Sequence, residues 1–124
     1  MNFWYKLFTW LLYPAIPFYL YFRRLKKKEH PLRYTEKLSK INKLRGDGFL
    51  IWFHVASVGE AMSILPLIEY CLKESKINKI LITSITLSSG EILEKKFNKN
   101  SKVTHQFLPF DIPLLVNKFL MHWK

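Results

Sequence analysis

Three short apolar runs alternate with helical patterns in the second half of the chain. The runs lie at Phe49–Val55, Lys79–Thr83 and Val103–Leu108, each bounded by small or polar residues. Continuous apolar runs of this length are typical of strands that are buried on both faces of a parallel sheet. Because a helical pattern follows each run, we predict the order β-α-β-α-β-α, with right-handed crossovers between parallel strands.

The three predicted helices are marked by apolar positions at helical spacing. Pro66 lies inside the first pattern and predicts a kink or a locally opened turn. We predict that the polar stretch Ser84–Glu91 is a turn before a short second helix, and that the last helix covers about Ile112–Leu120. The apolar positions are Ile64, Leu65, Ile68, Cys71 and Leu72 in the first helix, and Ile92, Leu93 and Phe97 in the second.

The first 28 residues have a different pattern. Phe3–Phe22 is apolar apart from Lys6 and Thr9 and is rich in Trp and Tyr, and a basic cluster at Arg23–Lys28 follows it. About 20 apolar residues span a bilayer core, and the positive-inside rule would keep the basic cluster cytoplasmic. Lys6 and two prolines disfavour a full span, so a helix lying in the membrane interface is the alternative. An amphipathic core helix is the remaining interpretation.

The segment Glu29–Gly48 is a polar, basic connector with one possible short helix at Tyr34–Leu38. A Gly46-Asp47-Gly48 turn ends the connector before the first strand. The predicted organisation is therefore a membrane anchor with its basic flank at residues 1–28, a connector at 29–48, and a Rossmann-like α/β domain at 49–124.

Charge and cysteine usage restrict the function classes. The chain has 20 Lys and Arg against 9 Asp and Glu, a net charge of +11, which favours anionic partners. Nucleic acid is disfavoured, because the basic residues cluster behind an apolar segment rather than alternating with aromatic side chains. The single cysteine, Cys71, excludes an internal disulfide, fits no metal-ligand spacing and indicates a reducing compartment.

The candidate chemistry lies in the three strand-to-helix turns, Ser57–Glu60, Thr83–Gly90 and Pro109–Asp111. The carboxyl ends of parallel strands meet at one edge of a sheet, where open α/β domains bind ligands. We therefore expect the Glu60 carboxylate, the hydroxyls of the second turn and Asp111 to surround one crevice. Helix N-termini at this edge offer free N–H groups to a carboxylate or phosphate.

Each candidate also has a purely structural interpretation. Ser57-x-x-Glu60 has the spacing of a capping box, which satisfies free N–H groups at a helix start, and Ser88-x-x-Glu91 has the same spacing. His54 is either a ligand or base, or, as we prefer, a core histidine. Asp111 is well placed as a helix N-cap. The sequence contains no nucleophile elbow, no P-loop and no G-x-G-x-x-G motif.

Several motifs together resemble the N-terminal domain of the bacterial Kdo (3-deoxy-D-manno-octulosonic acid) transferases. The similarity covers nearly the whole chain, including the apolar start and the basic segment behind it. The motifs are Ile51-Trp52-Phe53-His54-Val55-Ala56-Ser57-Val58-Gly59-Glu60, Leu65-Pro66-Leu67, Ile82-Thr83-Ser84-Ile85-Thr86 with Gly90, and Leu108-Pro109-Phe110-Asp111.

This resemblance implies one half of a GT-B glycosyltransferase at the cytoplasmic face of the cell inner membrane. The family transfers Kdo from CMP-Kdo to the lipid A precursor in lipopolysaccharide assembly, without an essential metal or another cofactor. The partners implied are the lipid A precursor, anionic membrane lipid and CMP-Kdo, the last through a separate C-terminal domain. By the same resemblance Glu60 is the general base, and the substrate-binding residues are Ser57, Gly59, Thr83, Thr86, Gly90, Pro109 and Asp111.

Two features depart from the family pattern. The family carries Glu-Arg followed by Leu or Phe and Gly in the connector, where this chain has Glu36-Lys37-Leu38-Ser39. Lysine cannot reproduce the bidentate contacts of arginine. The second is length, because a GT-B enzyme needs a second domain for the nucleotide sugar. We therefore expect a fragment that is inactive alone, and the alternative function is a non-catalytic membrane-anchored module that binds anionic lipid or a protein.

Overall fold

A computed structural model describes residues 2–124, which divide into two compact units. The sheet unit is Lys43–Leu108, and the helical unit is residues 2–42 together with Pro109–Lys124. The helices are α1 (Phe3–Leu12), α2 (Ile16–Leu25), α3 (Val58–Lys73), α4 (Leu87–Phe97) and α5 (Pro113–Trp123); the strands are β1 (Leu50–Val55), β2 (Lys79–Ser84) and β3 (Val103–Phe107); short 3-10 helices lie at Tyr13–Ala15 and Tyr34–Leu38.

The sheet unit contains the three predicted strands, all parallel, in the order β1-β2-β3. In the register Leu50 is opposite Lys79 and Val55 is opposite Ser84, so β1 and β2 end together. This arrangement confirms the predicted parallel α/β sheet and fits part of a Rossmann-like fold. The core of this unit includes Val55, Ala61, Ile68, Cys71, Ile80, Ile82, Leu93 and Phe97.

Helix α4 begins earlier than predicted. It starts at Leu87, within the stretch expected to be a turn, because the Thr86 side chain accepts a hydrogen bond from the Ser89 N–H and caps the helix. The predicted Ser88-x-x-Glu91 box is therefore wrong, since both residues lie inside α4. Helix α3 continues through Pro66 as one element of 16 residues.

In the helical unit, the apolar start of the chain forms two helices rather than one. Helices α1 and α2 have 10 residues each, and a 3-10 turn at Tyr13–Ala15, containing Pro14, separates them. Proline lacks the N–H that a continuous helix needs, which explains the interruption. Within residues 2–124, no helix combines the length and apolar character required to cross a bilayer.

A buried ion-pair network organises the connector. Glu29 is 3% exposed and pairs with Arg23 and with Lys37, each at 2.8 Å. The hydrogen bond between the Arg23 guanidinium and the Glu29 carboxylate raises the pKa of Arg23. Arg33 and Glu36 pair through two hydrogen bonds of 2.8 and 2.9 Å, at the start of the predicted short helix. Buried ion pairs thus hold the segment that the sequence predicts as a polar, basic connector.

The helical unit also contains the third predicted turn. Helix α5 begins after Ile112, which supplies no side-chain cap, so the predicted capping role of Asp111 is wrong. The Asp111 carbonyl instead accepts a hydrogen bond from the Tyr5 hydroxyl at 2.5 Å. Ser39 has a left-handed backbone, with φ of 57°, and its hydroxyl donates to the Leu115 carbonyl at 2.5 Å.

Candidate functional site

The turn between β1 and α3 holds Glu60 by two separate hydrogen bonds. The Ser57 side chain is the N-cap and accepts from the Glu60 N–H at 3.2 Å. The Glu60 carboxylate does not reach back to Ser57. Its Oε2 accepts from the N–H of Ala56, one residue earlier, at 2.7 Å. The Glu60 carboxylate therefore makes the backbone contact expected of a capping box, but with the residue before the N-cap.

This geometry leaves the Glu60 carboxylate available for chemistry. Glu60 is exposed, and its Oε1 makes no hydrogen bond to any residue between 2 and 124. One oxygen is thus fixed by the backbone while the other faces solvent. A carboxylate in this state can accept a proton from a hydroxyl group placed within hydrogen-bonding distance.

Gly59 lies beside Glu60 and has open space around it. A Cβ atom added there would meet only the Ser57 Oγ, at 3.9 Å. Packing therefore does not require glycine at this position. The small residue keeps the surface next to Glu60 clear, which is compatible with close approach of a ligand to the helix N-terminus.

Thr83, at the end of β2, is a hydrogen-bonding centre rather than an exposed hydroxyl. Its side chain is fully buried, and its Oγ1 lies 2.9 Å from the Trp52 Nε1 and 3.0 Å from the His54 Nδ1. His54 itself is exposed, so the prediction that it is a core histidine is wrong. The reason is that Trp52 and His54 alternate with Phe53 and Val55 along β1 and point to the opposite face.

The remaining residues of the second turn have structural roles. Thr86 is exposed and caps α4, where its Oγ1 lies 2.6 Å from the Ser89 Oγ. Gly90 is buried, and a Cβ atom added there would lie 2.6 Å from the Phe107 ring. The structure therefore gives Gly90 a packing function between α4 and β3, and its predicted contact with substrate stays a prediction.

The sheet places two of the three predicted turns at one edge. Because β1 and β2 are adjacent, parallel and end in register, the turn carrying Glu60 and the turn carrying Thr86 follow the same end of the sheet. Pro109, which is buried, and Asp111, which is exposed, belong to the helical unit. Their approach to Glu60 stays a prediction.

Sequence reasoning missed two contributors to this site. Ala56 holds the Glu60 carboxylate through its backbone N–H, and no side-chain pattern marks such a contact. The Trp52 side chain, like that of His54, lies within hydrogen-bonding distance of the Thr83 hydroxyl. Trp52 and His54 are two residues apart on a strand, which places both side chains on one face of the sheet. Among the described residues 2–124, no cluster of three or more His, Cys, Asp or Glu side chains is able to hold a metal ion.

The sheet unit is a three-stranded parallel α/β arrangement that fits part of a Rossmann-like fold, with a carboxylate at its first strand-to-helix turn. The family model for 3-deoxy-D-manno-octulosonic-acid transferase (kdotransferase) matches residues 3–124. The chain therefore belongs to this transferase family, as the sequence motifs predicted.

Curated relatives agree with this family. A 3-deoxy-D-manno-octulosonic acid transferase of Rickettsia bellii is 40% identical over 123 residues, which cover 96% of this chain and 29% of that protein. A mitochondrial protein of Arabidopsis thaliana, described as a probable transferase of the same name, is 38% identical over 97% of this chain and 26% of its own length. The Haemophilus influenzae transferase is 28% identical over 94% of this chain and 28% of that protein.

The chain thus spans between a quarter and a third of the length of these relatives. No solved structure gives a significant match.

Proposed function

We propose that this chain is the acceptor-side, base-bearing portion of a Kdo transferase, and that Glu60 is its general base. In the proposed reaction the Glu60 carboxylate takes the proton from a sugar hydroxyl of the lipid A precursor. That oxygen bonds to the anomeric carbon of Kdo while the bond from this carbon to the phosphate of CMP-Kdo breaks, and CMP leaves. Family membership and the Glu60 geometry support this proposal.

The observation that carries the proposal is the asymmetric binding of the Glu60 carboxylate. The 2.7 Å bond from Ala56 to Oε2 fixes the orientation of the group, and Oε1 remains open to a substrate hydroxyl. A base must be oriented and must also have a free acceptor, and this turn supplies both. The donor-binding portion lies outside these 124 residues in the proposed enzyme, which has the two-domain GT-B architecture.

The proposal includes a membrane-surface location on the cytoplasmic side of the inner membrane, in contact with anionic lipid. Helices α1 and α2 support it, because their aromatic side chains are largely exposed and basic residues follow at once. The exposed aromatic residues include Phe3, Trp4, Phe8, Trp10, Phe18, Tyr19 and Phe22. An apolar, aromatic-rich surface followed by basic residues suits a position within the membrane interface.

The test is a chimera in which these 124 residues replace the matching segment of the Rickettsia bellii transferase. Transfer of Kdo from CMP-Kdo to the lipid A precursor is measured in detergent. The Glu60→Gln variant should lose about 10²–10⁴-fold in kcat, the usual contribution of a general base. Glutamine keeps an oxygen that can accept from Ala56, so the turn should stay folded.

Glu91→Gln is the matched control, since Glu91 is an exposed glutamate in α4 and should tolerate the change. Equal transfer by Glu60→Gln and the unmodified chimera, at equal thermal stability, would show that the Glu60 carboxylate only holds the turn between β1 and α3 through Ala56. A chimera that folds and binds lipid but transfers nothing would favour the alternative, a non-catalytic lipid-binding module.

A further inference from the structure

Trp52 and His54 are exposed side chains on one face of β1, within the sheet unit. Residues i and i+2 of a strand project to the same side of the sheet. The other face of β1 packs on the core through Phe53 and Val55. Trp52 is 45% exposed, and His54 is exposed as well. A large aromatic side chain and a polar one are therefore presented together to solvent in the carboxyl half of β1.

The buried Thr83 hydroxyl fixes the orientation of both side chains. Thr83 is fully buried and lies opposite His54 in the register of β1 and β2. Its Oγ1 accepts from the Trp52 Nε1–H at 2.9 Å and lies 3.0 Å from the His54 Nδ1. The Phe53 carbonyl is farther from Oγ1, at 3.5 Å. Thr83 thus holds an indole and an imidazole in defined positions relative to each other.

The hydrogen-bond roles at Thr83 determine which His54 nitrogen carries the proton. An indole N–H is only a donor, and a hydroxyl has one proton to donate. The nearer acceptor for that proton is the His54 Nδ1, at 3.0 Å against 3.5 Å for the Phe53 carbonyl. These distances assign Nδ1 as the acceptor, so the proton of the neutral ring lies on Nε2. No residue between 2 and 124 bonds Nε2, and His54 therefore presents an oriented N–H donor to solvent.

This pair of side chains lies close to Glu60 along the chain. His54 precedes Ala56, whose N–H holds the Glu60 carboxylate, by two residues, which is at most about 7 Å of extended chain. His54 and the turn that follows it lie at the carboxyl end of β1, the end at which open α/β sheets bind ligands. A ligand bound against Trp52 and His54 therefore lies next to the turn that carries Glu60.

We infer that Trp52 and His54 bind a sugar ring of the acceptor, with Thr83 as the positioning residue behind them. One side of a sugar ring presents C–H groups, and the negative π-face of an indole attracts such groups. The His54 Nε2–H suits an oxygen at the edge of the same ring, since ligand sites combine an aromatic wall with a few oriented polar groups. This inference rests on the proposed function in taking the sugar as that of the lipid A precursor. It does not depend on Glu60 being the base.

Acceptor binding to the Rickettsia bellii chimera tests the inference without any transfer step. Calorimetry measures the Kd of the lipid A precursor, with its acyl chains removed, in the absence of CMP-Kdo. Trp52→Leu and His54→Leu should each weaken binding by about fivefold or more, because each variant loses one stacking or one hydrogen-bonding contact. Trp52→Phe keeps an aromatic face and His54→Gln keeps an N–H donor, so both should retain most of the binding.

Thr83→Val separates positioning from direct contact. Valine has a shape similar to threonine but no hydroxyl, so Trp52 and His54 lose their common anchor. In initial-rate assays of the chimera, we expect KM for the precursor to rise about fivefold while kcat changes by less than about twofold. Thr83→Ser keeps the hydroxyl and should restore KM. Glu60→Gln should instead lower kcat, so failure of the sugar site and failure of the base role are separate results.

Phe49→Leu is the matched control, since Phe49 is an exposed aromatic residue of the sheet unit that directly precedes the opposite end of β1. This variant should bind the precursor as the unmodified chimera does. Unchanged binding by Trp52→Leu and His54→Leu would overturn the inference. Reduced thermal stability of these variants with normal binding would show that another part of the transferase packs on this face, and would also overturn it. Displacement of the precursor by inorganic phosphate at equal concentration would indicate an anion site and overturn the sugar assignment.

Discussion

Glu60 accepts a hydrogen bond from the backbone N–H of Ala56 at 2.7 Å, so its carboxylate spans the turn between β1 and α3. In the usual capping box this carboxylate would return to the N-cap residue, here Ser57. The shift by one residue leaves the cap to the Ser57 hydroxyl alone, at 3.2 Å from the Glu60 N–H. Helix capping and the orientation of Glu60 are consequently carried by different atoms and can be separated by mutation.

Ser57→Ala should lower the free energy of unfolding by about 1 kcal/mol, because α3 loses its N-cap acceptor. Urea denaturation followed by circular dichroism measures the change. Ser57→Asn should restore most of the stability, since asparagine is an equally good cap. A Ser57→Ala variant as stable as the unmodified chain would mean that the 3.2 Å contact contributes nothing to the helix start.

Gly90→Ala and Gly59→Ala should behave differently although both glycines lie in helices. At Gly90 the new methyl group would lie 2.6 Å from the Phe107 ring, and overpacking of this kind costs about 1–3 kcal/mol. At Gly59 the space is open, so alanine should be neutral or stabilise α3 by up to about 1 kcal/mol.

Thermal denaturation of both glycine variants checks this contrast. The double variant Gly90→Ala with Phe107→Leu should recover part of the lost stability, because the ring is removed. In the Rickettsia bellii chimera, Gly59→Ala should reduce transfer without loss of stability if a ligand approaches the helix there. Equal stabilities of the two single variants would contradict the packing role of Gly90.

Glu29→Gln should be strongly destabilising, by about 3–5 kcal/mol, because it removes the buried carboxylate charge that pairs with both Arg23 and Lys37. The matched change Glu69→Gln removes an exposed pair with Lys96 at 3.5 Å and should cost about 0–1 kcal/mol. Chemical denaturation of the two variants side by side measures the difference. Similar small costs would show that the Glu29 network is not a stabilising element of the connector.

Lys27→Gly should raise the free energy of unfolding by up to about 1 kcal/mol. Lys27 has φ of 58°, a conformation that costs an L-residue energy and that glycine adopts without strain. Lys26 precedes it with φ of −82°, so Lys26→Gly should instead lower stability by about 0.5–1 kcal/mol. In thermal denaturation we expect the two variants to change stability in opposite directions. A loss of stability in both variants would argue against the left-handed turn at Lys27.

Local sequence patterns were sufficient for the sheet. Strands β1, β2 and β3 lie within about one residue of the predicted runs, because short apolar runs between polar turns are typical of sheet strands. The expectation of burial on both faces fails for β1, which exposes Trp52 and His54 on one face. Local sequence patterns did not predict where helices α4 and α5 begin. Several neighbouring polar residues could cap α4, and the Thr86 hydroxyl does so, which starts the helix three residues after the end of β2. Helix α5 begins at Pro113 after Ile112, so Asp111 lies one residue too early to cap it.

The sequence by itself determined the order of strands and helices, the family, and Glu60 as the candidate base, since these depend on local periodicity and on a contiguous motif. Only the tertiary structure decided which atoms hold Glu60, that His54 is exposed and that the Phe107 ring occupies the space where a side chain at position 90 would lie. Those features depend on backbone N–H directions and on contacts between residues distant in the chain. A one-dimensional pattern of apolar and polar residues does not encode either.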